Sequence, residues 1–320
     1  MKKILITGGA GFIGSCLADK LMQNPKYKVV MVDNMLTGHK ARLPQEEGNE
    51  ASNWRFIHAD CNNYTDISAV MMSYHFDYVF HYAAIVGVKR TLEHPKLVLD
   101  DIQGIRNILD IAKSTNVKRV FFASSSEVYG EPHEHPQNEQ TTPLNSRLPY
   151  AVVKNVGEAF LRSYKKEFDL DYTIFRFFNT YGPKQSIDFV MSKFILAALK
   201  NEDLTIYGDG LQTRTFCYVQ DNIDACVNAF EQNKYINDTV NIGSDYELTI
   251  LDLAKKIIKV TGSSSKIVHL PALKEGDMLR RKPDIGKMRH LLNRELTSVE
   301  SGIERILEEG LVLYNPNAQE

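Results

Sequence analysis

Short apolar runs alternate with longer segments of helical spacing along the first half of the 320-residue chain. The apolar runs lie at residues 3–6, 28–32, 54–58, 78–81, 119–123 and 172–177. Such short, mostly apolar runs are typical of strands that are covered on both faces. Helical spacing lies between them, for example at 12–23, 95–114 and 150–168. This alternation predicts an α/β fold with a doubly wound, parallel sheet of the Rossmann type.

The alternation loosens after about residue 179, where glycine-rich turns interrupt it at 182–183 and 208–210. Helical spacing returns at 190–200 and 250–261. We therefore predict a larger domain at 1–178, with return segments near 213–242, and a smaller C-terminal domain at 179–320. Residues 239–242 are predicted to be the last strand of a seven-stranded, mainly parallel sheet.

Composition and charge exclude several classes of protein. The net charge is −2, so the chain lacks the global basic field of nucleic-acid binders. No apolar stretch is long enough to span a membrane. The cysteines lack CxxC spacing and are expected to be reduced; they are Cys16, Cys61, Cys217 and Cys226. A cytoplasmic enzyme with a small-molecule substrate is the expectation.

A glycine-rich loop follows the first predicted strand and precedes a helix that opens with Phe12 and Ile13. Gly8 permits a tight turn, Gly11 lets the backbone approach a pyrophosphate, and Gly14 allows close packing of helix on strand. The helix N-terminus offers N–H groups and a positive dipole end to phosphates. The spacing GxxGxxG in this context predicts a dinucleotide site.

Acidic residues follow the second and third predicted strands. Asp33 can accept hydrogen bonds from both hydroxyls of an adenosine ribose and would repel a 2′-phosphate. No basic residue follows it, since the next residue is Asn34. These features favour NAD over NADP. Asp60 can accept a hydrogen bond from the adenine amino group, although a strand-end cap is a comparable interpretation.

Tyr150 and Lys154 are four residues apart and share one face of a predicted helix. A tyrosine ordinarily titrates near pH ~10, and a neighbouring ammonium favours its phenolate. Ser125 lies at the end of the fifth strand, where ligands bind in open α/β sheets. It can therefore bond the substrate hydroxyl that loses its proton. Together with the glycine loop, these residues predict a hydride-transferring enzyme.

At this point the sequence resembles the extended short-chain dehydrogenase/reductases, specifically the nucleotide-sugar epimerase/dehydratase family. The resemblance covers nearly the whole chain and includes residues 7–14, 81–84, 124–130, 150–154, 176–183, 207–210, 214 and 281–285. It implies an NAD-dependent enzyme that transiently oxidises C4 of a nucleotide sugar, with a smaller C-terminal substrate domain. It also implies a homodimer formed through the helices at 95–114 and 150–168.

The resemblance also implies three sets of site residues. The catalytic set is Ser125, Ser126, Glu127, Tyr150 and Lys154. The NAD site comprises Gly8, Gly11, Phe12, Ile13, Gly14, Asp33, Asn34, Asp60, Cys61, Tyr82, Ala83 and Ala84, with Tyr150 and Lys154. The nucleotide-sugar site, most simply for a UDP-sugar, comprises Val88, Asn179, Lys193, Arg214 and Arg281. Arginine suits the diphosphate because its planar fork gives bidentate charged hydrogen bonds.

The sequence departs from the family pattern in a few places. Val153 stands where a small residue usually precedes Lys154, and Asp101 stands where Asn is common. Cys61 and Asn62 replace the more usual residues after Asp60, and the closing stretch at 292–295 lacks the familiar Gly-Trp. None of these changes removes a catalytic group.

Three reactions remain open once a 4-keto sugar has formed: epimerisation, 4,6-dehydration and decarboxylation of a glucuronate. Dehydratases and glucuronate decarboxylases resemble this sequence in having a glutamate, here Glu127, immediately before Val-Tyr-Gly. Residues 201–218 and 281–285 resemble glucuronate decarboxylases. The loop at 83–90 resembles an epimerase. We predict a UDP-sugar 4-epimerase, with UDP-glucuronate decarboxylase and 4,6-dehydratase as alternatives.

Two further classes of function differ from these reactions in what they require of the chain. A 4-keto-sugar reductase would consume or release reduced cofactor, whereas an NAD(H)-sensing protein would usually lack the Tyr–Lys pair that this chain keeps. The run His133-Glu134-His135 is interpreted as a solvated loop, because two histidines without a third ligand nearby do not make a metal site. No metal is predicted.

Overall fold

The computed structural model describes residues 1–44, 53–87, 91, 93–131, 134–271 and 281–310. Val88 and His133, which figured in the sequence predictions, lie outside the described residues.

Thirteen strands are described, and seven of them form one sheet. In chain order they are β1 Lys2–Thr7, β2 Tyr27–Asp33, β3 Trp54–His58, β4 Tyr78–His81, β5 Arg119–Ser125, β6 Asp171–Phe177, β7 Thr180–Tyr181, β8 Leu204–Tyr207, β9 Thr213–Thr215, β10 Cys217–Tyr218, β11 Asp238–Ile242, β12 Glu247–Thr249 and β13 Ile267–Leu270. The large sheet has the order β11-β6-β5-β4-β1-β2-β3, and neighbours among β1 to β6 run parallel. The predicted seven-stranded, mainly parallel sheet is confirmed, and residues 239–242 lie in β11, one of its two edge strands.

Helices lie between the strands, as the alternating pattern predicted. They are α1 Phe12–Met22, α2 Tyr64–Tyr74, α3 Pro95–Ser114, α4 Pro149–Phe168, α5 Val190–Leu199, α6 Val219–Glu231, α7 Ile250–Thr261, α8 Gly286–Leu292 and α9 Val299–Glu309. Proline occupies the first position of both α3 and α4, where a missing N–H costs nothing. Within the ranges given above, no helix is long and apolar enough to cross a membrane.

The described chain forms two compact units. The first contains Met1–Gly130, Leu144–Phe177 and Ala225–Val240, and the second contains Glu131–Pro143, Phe178–Asp224 and the residues from 241 onward. The first has a core of strand and helix residues such as Leu5, Val79 and Ile108, all fully buried. The second has its own core, with Ile195 and Leu253 fully buried. Each unit thus buries apolar surface of its own, which is the main favourable term in its folding.

Candidate active site

The loop after β1 is too tightly packed at Gly8 and Gly14 for a side chain at either position. Gly8 has a φ of +71°, and a Cβ on it would lie 2.7 Å from the backbone nitrogen of Ala83. A Cβ on Gly14 would lie 2.2 Å from the Gly8 carbonyl oxygen. Helix α1 begins at Phe12, with Gly11 as its N-cap residue. The first-turn N–H groups, including that of Ile13, have no partner within the helix and can bind a pyrophosphate.

The Asp33 carboxylate is held in place by backbone N–H groups. Oδ2 accepts from Ala10 N at 3.0 Å, and Oδ1 accepts from Met35 N at 2.8 Å. Burial raises the pKa of this carboxyl group, while the two backbone hydrogen bonds oppose that rise. A carboxylate has about four acceptor sites, so two remain for ribose hydroxyls. Gly38 keeps this face open, because a Cβ there would lie 2.7 Å from Oδ1. The cradle therefore fits an adenosine ribose.

We expect the chain to bind NAD more tightly than NADP, because a 2′-phosphate would meet the fixed Asp33 carboxylate. Asp33→Ser removes that charge and should narrow the difference between the two dissociation constants, as measured by calorimetry. Tighter binding of NADP than of NAD by the wild-type chain would contradict the prediction.

Polar residues after β3 are hydrogen-bonded to one another and to Asn34, the neighbour of Asp33. The Asn34 side-chain amide donates to Asp60 Oδ2 at 3.1 Å, and Asn62 N donates to Asp60 Oδ1 at 2.8 Å. Burial raises the pKa of the Cys61 thiol, so it stays uncharged at neutral pH. These residues offer carboxylate and amide groups to a polar ligand, whereas Cys61 contributes apolar surface.

The loop after β4 is tied to the end of β1. The Thr7 hydroxyl accepts the N–H groups of Tyr82 and Ala83, each at 3.2 Å, and lies 2.8 Å from His81 Nδ1. Burial, with Lys154 as a smaller cause, lowers the pKa of His81 to about 3. The imidazole is therefore neutral at physiological pH. These bonds fix the segment that leads to Ala84 over the glycine loop.

The end of β5 brings the predicted catalytic residues together. The Ser125 hydroxyl accepts the Glu127 N–H at 3.2 Å, and its interaction with the Tyr150 phenol opposes the rise in the pKa of that phenol. Ser126 is buried in the 3₁₀ turn Ser126–Tyr129 that follows. Lys154 is buried one turn after Tyr150, with its ammonium 5.6 Å from the centroid of the Tyr150 ring. The end of β5 thus brings Ser125 together with Tyr150 and Lys154, which lie 25 and 29 positions later in the sequence.

The electrostatics of the pair differ from the sequence-based expectation. Burial raises the pKa of Tyr150 well above its ordinary value, and the Glu127 charge raises it further. Burial lowers the pKa of Lys154 to about 8. In the chain alone, burial outweighs the ammonium, and Tyr150 is a protonated phenol at neutral pH. Further positive charge next to the phenol would favour the phenolate.

A buried ion pair that the sequence analysis missed joins helix α4 to strand β6. The Glu158 carboxylate accepts from Arg176 Nε at 2.9 Å and Nη2 at 2.7 Å, and from the Ser124 hydroxyl at 2.7 Å. Arg176 Nη1 donates to the Tyr129 hydroxyl at 2.8 Å. Burial alone would raise the pKa of Glu158, but Arg176 and Ser124 hold it below its ordinary value. Glu158 follows Lys154 by four residues, or one helical turn, and this spacing was the sequence signal that could have identified it.

Replacing Arg176 with Met should destabilise the chain by roughly 3–5 kcal/mol, because it leaves the Glu158 carboxylate buried without its main partner. Arg162→Met is the matched control. Arg162 Nη2 also donates to Glu158 at 2.9 Å, but its side chain is 45% exposed. We expect it to cost at most about 1 kcal/mol. Equal losses of unfolding free energy for both variants in urea would contradict this expected difference.

The predicted substrate residues, apart from Val88, all lie in the second unit. Asn179 follows β6 with a φ of +24°, and its buried side-chain nitrogen has no hydrogen-bond partner among the described residues. Lys193 is exposed on α5, with its ammonium 5.8 Å from the centroid of the Tyr207 ring. Arg214 lies on β9 and Arg281 precedes α8; both are half-buried.

Comparisons with known proteins identify the family of the chain. Residues 4–243 match the model of the NAD dependent epimerase/dehydratase family. The chain is 37% identical over 315 residues to UDP-glucuronic acid decarboxylase 1 of Danio rerio, covering 96% of this chain and 72% of that protein. It is also 37% identical to the UDP-N-acetyl-alpha-D-glucosaminuronate decarboxylase of Bacillus cytotoxicus, covering 96% and 97%. The UDP-glucose 4-epimerase of Thermotoga maritima, solved with UDP-glucose, superposes with a TM-score of 0.88 at 31% identity, covering 96% and 97%. The chain therefore belongs to the NAD-dependent nucleotide-sugar epimerase/dehydratase family that its motifs predicted, and NAD is its cofactor.

Proposed function

We propose that this enzyme decarboxylates a UDP-linked hexuronate. The observation that carries the proposal is the Glu127 carboxylate, whose charge acts on the Tyr150 phenol, at the strand end that also holds Ser125. A carboxylate at this position can serve a proton transfer beyond C4. Epimerisation at C4 has no such step, whereas decarboxylation has one at C5.

The chemistry of a hexuronate explains that need. Oxidation at C4 makes the C6 carboxylate a β-keto acid. The C5–C6 bond then breaks, CO2 leaves, and the electron pair moves into an enolate over C5, C4 and O4. C5 must take a proton before C4 is reduced again. In sum, one carboxylate is replaced by one hydrogen, with no net redox change.

Each residue of the strand end has a distinct proposed role. Ser125 orients the C4 hydroxyl, and Tyr150 takes its proton and later returns one to O4. The Lys154 ammonium stabilises the Tyr150 phenolate. Glu127, with Ser126 beside it, takes a proton from water and passes it to C5. The glycine loop and Asp33 would hold NAD, which would supply reversible hydride transfer at C4 and, in its oxidised form, a positive charge.

The relatives support the same substrate class. Both decarboxylases described above carry the name of a UDP-linked uronate, and one of them matches this chain over nearly its whole length. The 4-epimerase predicted from the sequence is the second candidate. It is favoured by the similarity to the Thermotoga maritima enzyme and by the epimerase-like loop at 83–90, of which residues 88–90 lie outside the described ranges.

The nucleotide part of the substrate is proposed to bind Asn179, Lys193, Arg214 and Arg281. The amide nitrogen of Asn179, which has no partner among the residues that the structure describes, supports this assignment, because a buried unpaired donor is costly unless a ligand accepts from it. Val88 stays in the proposed set on the family resemblance. A cytoplasmic location and a homodimer formed through α3 and α4 are also proposed.

The test is turnover of a panel containing UDP-glucuronate, UDP-N-acetylglucosaminuronate, UDP-glucose and UDP-N-acetylglucosamine, followed by mass spectrometry and proton NMR. We expect a product from one uronate that has lost the mass of CO2. Unchanged mass with a new anomeric signal would establish the epimerase instead, and loss of one water would establish a dehydratase. Net formation or use of reduced cofactor would indicate a dehydrogenase or reductase.

A further inference from the structure

The residues proposed to act on the sugar lie on two separate elements. Ser125 and Glu127 belong to a short turn at the end of β5, residues 124–130, which we call the catalytic turn. Tyr150 and Lys154 belong to helix α4. A shift of about 1 Å between reacting groups can lower a rate by about 100-fold, so the contacts that join the turn to the helix matter for the reaction.

The catalytic turn is closed by hydrogen bonds of its own. The Ser125 hydroxyl accepts the Glu127 N–H at 3.2 Å, and the Gly130 N–H donates to the Glu127 carbonyl oxygen at 3.0 Å. Gly130 has a φ of +63°, and a Cβ on it would lie 2.7 Å from the backbone nitrogen of Ser146. These contacts set the shape of the turn, and its position relative to α4 depends on other bonds.

The first end of the catalytic turn is hydrogen-bonded to α4. The Ser124 hydroxyl donates to Glu158 Oε1 at 2.7 Å. The helix packs closely on β5 next to this bond, because a Cβ on Gly157 would lie 2.4 Å from Cζ of Phe122. The Glu158 carboxylate therefore contacts the residue that directly precedes Ser125.

The second end of the catalytic turn is bonded to the same carboxylate through Arg176. The Tyr129 hydroxyl accepts from Arg176 Nη1 at 2.8 Å, and the guanidinium carbon lies 4.8 Å from the centroid of the Tyr129 ring. The other guanidinium nitrogens, Nε and Nη2, donate to Glu158 at 2.9 Å and 2.7 Å. Arg176 is also the partner of Ser124 in the parallel pairing of β5 with β6. One ion pair thus contacts residues near both ends of the turn.

The four side chains of this network are buried, and each is at most 2% exposed. A fully hydrogen-bonded polar network in a dry interior favours a single arrangement, because any other arrangement leaves a buried polar group without its partner. Glu158 follows Lys154 by four residues and Tyr150 by eight, so the three side chains share one face of α4. The network therefore joins the catalytic turn to the helix face that carries the other two proposed catalytic groups.

We propose that Glu158 and Arg176 are positioning residues that hold the catalytic turn against α4 through the hydroxyls of Ser124 and Tyr129. They act through the turn and not on the sugar itself. The effect on turnover rests on the proposed function, in which groups of the turn and of the helix act on the same sugar. The effect on the turn itself does not depend on the reaction.

Tyr129→Phe and Ser124→Ala test this proposal, because each removes one hydroxyl and leaves the buried ion pair in place. The first readout is hydrogen–deuterium exchange of residues 124–130, measured by mass spectrometry on the full chain with NAD, since exchange reports local opening. The second is kcat and KM for the active sugar of the panel. We expect faster exchange in both variants. We also expect kcat to fall by about 10- to 100-fold with KM little changed, because the nucleotide is proposed to bind other residues.

Tyr27→Phe is the matched control. Tyr27 is a buried tyrosine on β2, and its hydroxyl donates to Glu231 Oε1 at 2.8 Å. This variant also loses one hydrogen-bonded hydroxyl, so it should lose a similar amount of thermal stability. It should keep both the wild-type kcat and the wild-type exchange at 124–130.

Unchanged exchange at 124–130 in both turn variants, or an equal loss of kcat in Tyr27→Phe, would overturn the proposal. Faster exchange with wild-type kcat would overturn it too, because the position of the turn would then not limit the reaction. Faster exchange and lower kcat in an enzyme that decarboxylates no uronate would support the positioning role while refuting the proposed function.

Discussion

Replacing Tyr150 with Phe is expected to abolish turnover on every nucleotide sugar while leaving NAD bound. The substitution removes one oxygen, the atom proposed to take the C4 proton, and loss of a general base typically lowers the rate by about 10²–10⁴-fold. The first hydride transfer then fails whichever route follows. The measurement is kcat for the active sugar of the panel, together with calorimetric titration of NAD.

Tyr164→Phe is the matched control for this variant. Tyr164 lies on the same helix, and its hydroxyl donates to Asp110 Oδ1 at 2.8 Å, away from Ser125. We expect it to retain kcat and to lose only some thermal stability. A Tyr150→Phe enzyme that keeps more than a tenth of wild-type turnover would show that another group takes the C4 proton.

The sequence predicted much of this site because its motifs sit at boundaries between strands and helices. Continuous apolar runs are a strong signal for parallel strands, so β3 and β4 begin and end where predicted. Ser125 and Tyr150 come together because α4 begins at the carboxyl end of β5. Each such placement follows from local pattern and from the parallel topology.

The contacts that the sequence did not reveal depend on tertiary packing. The sequence alone does not pair Glu158 with Arg176, because the two residues lie on separate elements, α4 and β6. The acidity of Tyr150 was misjudged for the same reason. The neighbouring ammonium was visible from the spacing, but burial, which is the larger influence, depends on the folded surroundings. The reaction itself stayed open because Glu127 and the loop at 83–90 favoured different outcomes.

Glu127→Gln separates those outcomes and is expected to abolish release of the decarboxylated sugar, because the C5 proton is not delivered. The amide cannot supply a proton to C5, so we expect kcat to fall by about 10²–10⁴-fold. The first step should survive. Glu127 raises the pKa of Tyr150, so its removal lowers that pKa and makes the phenolate easier to form. The variant should therefore oxidise C4 but stall afterwards, which is measured as reduced nicotinamide absorbance that persists on the enzyme during incubation with the uronate.

Glu131→Gln is the control for this last variant, because Glu131 is an exposed carboxylate four residues further along the chain. It should leave both kcat and the absorbance trace unchanged. An epimerase predicts the opposite behaviour for Glu127→Gln, since rotation of a 4-keto sugar needs no second acid or base. Such an enzyme would keep most of its turnover, with little reduced nicotinamide building up. A Glu127→Gln variant that still converts its substrate at near wild-type rate would therefore refute decarboxylation and restore the 4-epimerase first predicted from the loop at 83–90.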